Sequence, residues 1–256
     1  MSKKQENNDR DVAAVIVAMT DAEQPFLLET MRSVLSDPCI VQVILCIEKN
    51  NNWIDSTIGS VSSDPHLEIV RLTLAPPGAI RNAAVNYVRM PWIAFCDGDD
   101  VWCNEKILQR KYANETGSDF VGADHYLTDE AGKVRAFALA RYMPMLSSWM
   151  VRTEVMKQYP FNETMFVAED GQWWSRTEGK IIKARYPNML LKYRVRYNSL
   201  SSVDGSKKRK VKIVALGSIP VLGKLVYLAT GCLWLFTRKK QYIWHKGWGQ
   251  RPGVGN

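Results

Sequence analysis

The chain has 256 residues, room for one large domain or for one domain with an appendage, and enough to bury a sizeable core. With 46% hydrophobic and 23% charged residues it reads as a folded globular protein, which excludes disorder throughout and collagen-like repeats, while five cysteines without zinc-like spacing argue against a secreted disulfide framework. The net charge of +8 divides unevenly: residues 181–256 hold 16 of the 34 Lys/Arg but only one of the 26 acids, Asp204, so this stretch carries +15 and the rest −7, an acidic body with a basic tail rather than a uniformly basic nucleic-acid binder.

The opening MSKKQENNDR is polar and no apolar signal-peptide core follows it, so a reducing cytosolic compartment is the expectation. Val12 to Val17 is a continuous apolar run, as in a strand buried on both faces. Asp21 with Gln24 reads as a capping box, Pro25 falls in the first helical turn, and Leu27, Leu28, Met31, Val34 and Leu35 follow at helical spacing. Val41 to Ile47 and Leu67 to Leu74 predict two further strands. The triplet PPG at 76–78 breaks the chain before a small-residue helix, AIRNAAVNYV, and Trp92 to Cys96 is a short apolar strand running directly into DGDD. Strands alternating with helices imply an α/β parallel sheet, in which ligands bind at the carboxyl ends of the strands.

The second half is less regular. Phe120 to Val134 reads as two strand pieces joined through TDEAGK, Arg152 to Gln158 and Asp170 to Thr177 as short helices, and Ile181 to Ala184 and Leu190 to Val195 as closing strands. A small, polar, then basic stretch at 201–210 marks a boundary, followed by an apolar run from Ile213 to Phe236. The expected organisation is a polar tail over 1–10, a folded α/β domain over 11–202 and a basic, apolar segment over 203–256.

Asp97, Asp99 and Asp100 lie within four residues. Carboxylates that close repel one another unless a cation or strong donors compensate, and hard oxygen ligands suit Mg2+ or Mn2+, particularly when a diphosphate adds further oxygens. Gly98 lets the backbone turn so that its neighbours converge. The plainer alternative is a solvated acidic turn. Arg81 is a cation at a helix start near this cluster, able to fork onto a phosphate or a base carbonyl. The three histidines are far apart without ligand spacing, no serine or cysteine has a histidine partner nearby, and the Gly-x-x-x-x-Gly-Lys loop is absent.

The segment PPGAIRNAAVNYVRMPWIAFCDGDDVW resembles the donor-site segment of the family-2 glycosyltransferases: a small-residue loop, Ala-Arg-Asn with Ile80 in place of the alanine, a helix, and a strand ending in Asp-x-Asp-Asp. VRTEVMKQYPFNETMFVAEDGQWWSR is similar to a second family segment through Val151, Arg152, Glu154, Val155, Phe161, Glu163, Glu169, Asp170, Trp174 and Arg176. The resemblance runs over about residues 11–200 and implies a GT-A fold, a Rossmann-like mixed and mostly parallel sheet flanked by helices, with inverting transfer from a nucleotide-diphosphate sugar. It implies that Asp97 meets the ribose or a metal-bound water, that Asp99, with Asp97, holds Mn2+ or Mg2+, and that Asp170 is the general base beside Glu169. Helix capping is the structural alternative for that acid pair. Where the family's second strand usually ends in an Asp pair, Glu48 and Lys49 stand here; Glu48 is offered as an acceptor for a base N–H, which leaves the nucleotide open, with a uridine diphosphate sugar as the leading expectation. The Gln-x-x-Arg-Trp of processive synthases is absent, which favours a single transfer. Trp102, Trp149, Trp173 and Trp174 are offered as core or as sugar-stacking walls, with Trp173 and Trp174 as the acceptor candidates.

Ile213 to Phe236 is long enough to cross a bilayer, but Lys224 sits at its centre with Pro220 and Gly223 just before it. Basic residues at 207–212 and 238–240, with Tyr242, Trp244 and Trp248, resemble interfacial anchors. The expectation is a monotopic, in-plane or re-entrant attachment to an anionic membrane at its cytosolic face, the alternative being a buried helical extension of the core or a subunit interface. The acceptor is a carbohydrate or a lipid-linked hydroxyl. A sugar nucleotidyltransferase is disfavoured because AMTDAEQ stands where its Gly-rich basic loop belongs, and a non-enzymatic lipid- or nucleic-acid-binding module because the carboxylate motifs fall in order on an acidic body.

Overall fold

The computed structural model describes residues 9–138, 143–196 and 205–237. Most of the polar opening, the 203–204 boundary, the basic cluster 238–240, Tyr242, Trp244, His245 and Trp248 lie outside the described residues.

The first hundred residues form strands β1 (Val12–Ala18), β2 (Ile40–Glu48), β3 (Leu67–Leu72) and β4 (Trp92–Asp97), with helices α1 (Gln24–Leu35), α2 (Ile54–Ile58) and α3 (Pro77–Val85) between them. β1 lies between β2 and β4, β3 flanks β2, and all three pairings are parallel. The apolar run of β1 is continuous because both faces are covered. Val12, Ala14 and Ile16 pack with Leu27, Met31 and Val34 of α1, while Ala13 and Val15 pack with Ile80 and Ala84 of α3. The capping box is one residue earlier than the sequence suggests. Glu23 Oε2 accepts from the Thr20 backbone N–H at 2.9 Å and from its hydroxyl at 2.6 Å, and Pro25 follows in the first turn of α1.

The second half adds β5 (Val101–Trp102), α4 (Lys106–Thr116), β6 (Phe120–Thr128), β7 (Val134–Ala138), β8 (Met150–Arg152), α5 (Thr153–Gln158), α6 (Glu169–Arg176) and β9 (Lys183–Arg194). The single sheet runs β3-β2-β1-β4-β8-β6-β9-β5, with β7 on β6. β8 is antiparallel to both β4 and β6, so β6 and β9 run parallel to the first strands and their carboxyl ends rise on the same edge as Asp97. The two expected closing strands are one twelve-residue strand, β9, which irregularities opposite Asp124 carry along the length of β6.

The C-terminal apolar run is a helical hairpin, α7 (Gly205–Ser218) and α8 (Pro220–Thr237). The chain breaks at Pro220, which opens α8, and continues helically through Gly223 and Lys224. The later helix is therefore 18 residues long and, by length and composition, apolar enough to cross a membrane. One face is docked. Phe137 of β7 packs on Tyr227 and Trp234, its N–H donates to Thr230 Oγ1 at 3.2 Å, and a Cβ on Gly223 would fall 2.2 Å from the Gly217 carbonyl oxygen. The other face is open.

Candidate active site

The DGDD loop leaves β4 beside the end of β1, where Asp97 pairs in register with Val17. The Asp97 N–H donates to Ser147 Oγ at 3.1 Å, the Gly98 N–H to the Val17 carbonyl at 2.8 Å, and Thr30 Oγ1 lies 2.7 Å from the Asp100 carbonyl oxygen. Gly98 has no left-handed backbone; it is required because a Cβ would come within 2.8 Å of the Ala18 Cβ and 3.0 Å of the Val17 carbonyl. The glycine lets the loop lie against β1, rather than supplying a sharp turn.

The three carboxylates of the loop diverge, and each has its own compensation. Asp97 is the open one, with 37% of its side chain exposed and Oδ1 accepting from Arg81 Nη2 at 2.8 Å. Asp99 Oδ2 lies 2.6 Å from Arg196 Nε. Burial pushes the Asp99 carboxyl up to about 6, with Arg196 opposing the shift. Asp100 turns inward, is buried, and accepts the Arg194 backbone N–H at 3.0 Å; burial raises it well above the usual carboxylate range.

Arg81, on α3, is the strut of the site. Its Nη2 holds Asp97 and its Nη1 holds Glu169, the first residue of α6. Burial pulls against the guanidinium charge, but Asp97 and Glu169 prevail and leave its pKa raised. Glu169 is itself raised by burial, which Arg81 opposes. The sequence offers Arg81 for a phosphate or a base carbonyl; in the structure it is buried and both terminal nitrogens face carboxylates. Asn82 closes the same frame: its amide donates to the Phe161 carbonyl at 2.9 Å and to Glu163 Oε1 at 3.0 Å, and it accepts the Phe161 N–H at 2.9 Å. A Cβ on Gly78 would lie 2.3 Å from the Asn162 carbonyl, so α3 and the 161–163 turn need that glycine to meet. Ala168 stands in the left-handed region at φ 62°, unusual for a residue with a Cβ, and sets the start of α6 so that Glu169 turns in toward Arg81. Asp170 stays half-buried beside it, with Oδ1 accepting the Gly171 N–H at 2.7 Å.

Glu48, at the end of β2, lies on the same strand-end edge; its carboxylate accepts the Asn50 N–H at 2.6 Å and caps the turn that follows. Trp173 and Trp174 are not sugar platforms. Both rings are buried against Phe120 and Trp149, which leaves no open face for stacking; Trp102 and Trp149 are core as well. His125 is buried, and burial pulls its pKa down to about 3, whereas His66 is a surface partner of Asp64.

Several residues that shape the site gave no recognised signal in the sequence: Glu23, Thr30, Ser147, Arg194 and Arg196. Arg194 is the last residue of β9 and Arg196 lies two residues beyond it. Arg194 donates to the Asp99 carbonyl at 2.9 Å, to the Glu130 carbonyl at 2.6 Å and to Glu29 Oε2 at 2.6 Å.

Among the described residues no three His, Cys, Asp or Glu side chains converge as a metal cage. Asp97 and Asp99 are nevertheless hard carboxylate donors at one strand end, and Asp97 is open to solvent, so they fit Mg2+ or Mn2+ completed by water and diphosphate oxygens.

No family model matches the chain. It is 24% identical over 222 residues to MJ1057, an uncharacterized glycosyltransferase of Methanocaldococcus jannaschii, covering 78% of this chain and 77% of that protein. Among solved structures it is similar to TarS of S. aureus in complex with UDP-GlcNAc, at a TM-score of 0.64 and 14% identity, covering 80% of this chain and 66% of that one, just under two thirds of its length. It is also similar to the mannosyltransferase PcManGT of Pyrobaculum calidifontis in complex with GDP-Man and Mn2+, at a TM-score of 0.60 and 13% identity, covering 91% and 81%. The chain has the GT-A-like glycosyltransferase fold, a mixed sheet with flanking helices, and a glycosyltransferase as its relative in sequence.

Proposed function

We propose that the protein is an inverting glycosyltransferase that moves one sugar per encounter from a nucleotide-diphosphate sugar to an acceptor hydroxyl. The observation that carries this reading is the bridge through Arg81, which joins the Asp97 end of the donor motif to the Glu169–Asp170 pair across the carboxyl ends of the strands. Displacement at an anomeric carbon needs the attacking hydroxyl deprotonated and the departing diphosphate compensated. Asp170, half-buried beside the Arg81–Glu169 pair, is the base; Glu169 and Arg81 hold its helix start in place. Asp97 and Asp99 hold Mn2+ or Mg2+, which when bound supplies Lewis-acid neutralisation of the diphosphate charge. Glu48 accepts from a base N–H, its carboxylate exchanging the Asn50 contact for the nucleotide. A uridine diphosphate sugar leads, with a guanosine diphosphate sugar as the other candidate; TarS and PcManGT bind one of each.

The hairpin supports attachment to the cytosolic face of an anionic membrane. Val221, Leu225, Leu228, Leu235 and Phe236 present an open apolar surface, with Phe236 78% exposed, and the exposed Lys208, Arg209 and Lys224 supply positive charge. The turn of the hairpin is tied to the site edge, since Arg135 donates to the Gly217 carbonyl at 3.2 Å and pairs with Asp129 beside Glu130. A lipid-linked or carbohydrate acceptor fits this position.

The test is incubation of the full chain with Mn2+ and a panel of uridine and guanosine diphosphate sugars, with calorimetry for donor binding and release of the free nucleoside diphosphate as the readout. Binding and acceptor-dependent release of one diphosphate is the expected result. Pyrophosphate release from a nucleoside triphosphate and a sugar 1-phosphate, or failure to bind any donor, would overturn the reading.

A further inference from the structure

Arg194 is the last residue of β9 and Arg196 lies two residues beyond it, and the two are held in different ways. Arg194 has three directed partners and is a fixed part of the frame. Arg196 is anchored on one side only: Nη1 donates to the Ala22 carbonyl at 2.8 Å and Nη2 to Glu23 Oε1 at 3.2 Å. Nε stands 2.6 Å from Asp99 Oδ2, a close ion pair whose charge attraction raises the arginine's pKa against the pull of burial. Glu23, in turn, is committed through Oε2 to the Thr20 capping box, which fixes the anchored end of the guanidinium.

Asp99 is thus neutralised by an arginine at the position where the donor reading requires a divalent cation. A guanidinium and a dication a few ångströms apart repel, and both compete for one carboxylate. We infer that Arg196 is an internal counter-ion that occupies Asp99 in the donor-free protein, yields that carboxylate to the divalent cation, and then turns about its Glu23 and Ala22 anchors to bind the donor's diphosphate. This rests on the glycosyltransferase reading above. The chemistry suits the exchange: a guanidinium released from a carboxylate presents the forked N–H pair that phosphate oxygens accept. It also answers the repulsion among Asp97, Asp99 and Asp100, which has to be compensated before any metal arrives.

The test uses the full chain as wild type, Arg196→Ala and Arg196→Lys, with folding checked by near-UV circular dichroism. Free Mn2+ is followed by its electron paramagnetic resonance signal without nucleotide, and uridine or guanosine diphosphate binding by calorimetry at saturating Mn2+. For Arg196→Ala we expect Mn2+ alone to bind about tenfold more tightly, because its competitor is gone, and the nucleoside diphosphate to bind about tenfold more weakly, because a charged donor is lost. Arg196→Lys keeps the charge without the fork and should fall between on both scales. Unchanged or weaker Mn2+ binding in Arg196→Ala overturns the counter-ion role, and unchanged nucleotide affinity overturns the diphosphate role; Arg196→Lys decides the same points if the alanine variant fails to fold. A wild-type protein that binds Mn2+ but neither diphosphate overturns the glycosyltransferase reading itself, and the inference with it.

Discussion

The indole N–H of Trp234 donates to Asp124 Oδ2 at 2.8 Å, joining the last helix to a carboxylate buried in the middle of β6. Asp124 is also the partner of the buried Arg185, so the helix is fastened to an ion pair inside the sheet rather than resting on its surface. Trp234→Phe keeps most of the ring and removes the donor. Loss of a hydrogen bond to a charged group should lower the unfolding free energy by about 1.5–3 kcal/mol. Urea unfolding measures that loss, and amide exchange along 220–237 should accelerate. Unchanged exchange together with unchanged stability would mean that the Trp234–Asp124 hydrogen bond does not hold α8.

Asp170→Asn removes the proposed base while keeping its size and much of its capping ability. Transfer should fall by about 10²–10⁴-fold, the range for loss of a positioned general base. Donor and Mn2+ affinity, which depend on Asp97 and Asp99, should change little. A lowered melting temperature with near-normal turnover would make Asp170 a helix cap and nothing more.

Lys106 is a buried lysine whose Nζ has no hydrogen-bond partner among the described residues and stands 4.4 Å from the centre of the Trp102 ring. Burial lowers its pKa from 10.5 to about 8. The unfolded chain therefore holds this proton up to pH 10.5 while the folded protein loses it near pH 8. Between those values the unfolded state binds more protons, so stability gains with rising pH; below pH 8 the penalty is complete and constant. Each tenfold change in proton affinity is worth about 1.4 kcal/mol, which puts the penalty on the order of 3 kcal/mol at neutral pH. Lys106→Met should be more stable than wild type at pH 7, with the gap narrowing toward pH 10. A variant that is less stable at pH 7 would show that the ring contact outweighs desolvation.

Leu225 and Leu228 are each about 60% exposed on the open face of α8. The double substitution Leu225→Asp, Leu228→Asp adds two negative charges to the proposed membrane surface without touching the docked face. Cosedimentation with vesicles containing anionic lipid should drop at least tenfold, since each removal of a leucine from an apolar phase costs about 1.5–3 kcal/mol before charge repulsion is counted. Equal sedimentation of the double variant and the wild type would assign vesicle binding to another surface.

The parts of the fold that escape the sequence do so for different physical reasons. α4 has only a weak apolar stripe, because its buried face is Lys106, Gln109, Arg110, Ala113 and Thr116. Gln109 donates to the Val121 and Ser148 carbonyls, and Arg110 pairs with Asp11 over the Trp92 ring. A helix buried largely through polar contacts leaves little hydrophobic period to read. β9 is split in the sequence by polar and turn-forming residues around Pro187, yet its pairing with β6 and β5 carries it through. The tail breaks at Pro220, where the first helical turn tolerates proline, and the helix accepts Gly223 and Lys224 because one packs against Gly217 and the other faces outward.

What the sequence determined by itself was local: the strand at Val12–Ala18, buried on both faces, the short strand running into Asp97, the small-residue helix carrying Arg81 and Asn82, and the acidic start of the helix at Glu169. Each is legible because neighbouring residues set backbone preference, burial period and motif spacing. Only the tertiary structure decided which charge answers which. Arg81 reaches Asp97 across 16 residues and Glu169 across 88, and Arg194 reaches the Asp99 carbonyl across 95. Nothing local couples such residues; they meet because the parallel sheet brings the carboxyl ends of β4, β6 and β9 to one edge, where buried or half-buried carboxylates must find a compensating cation.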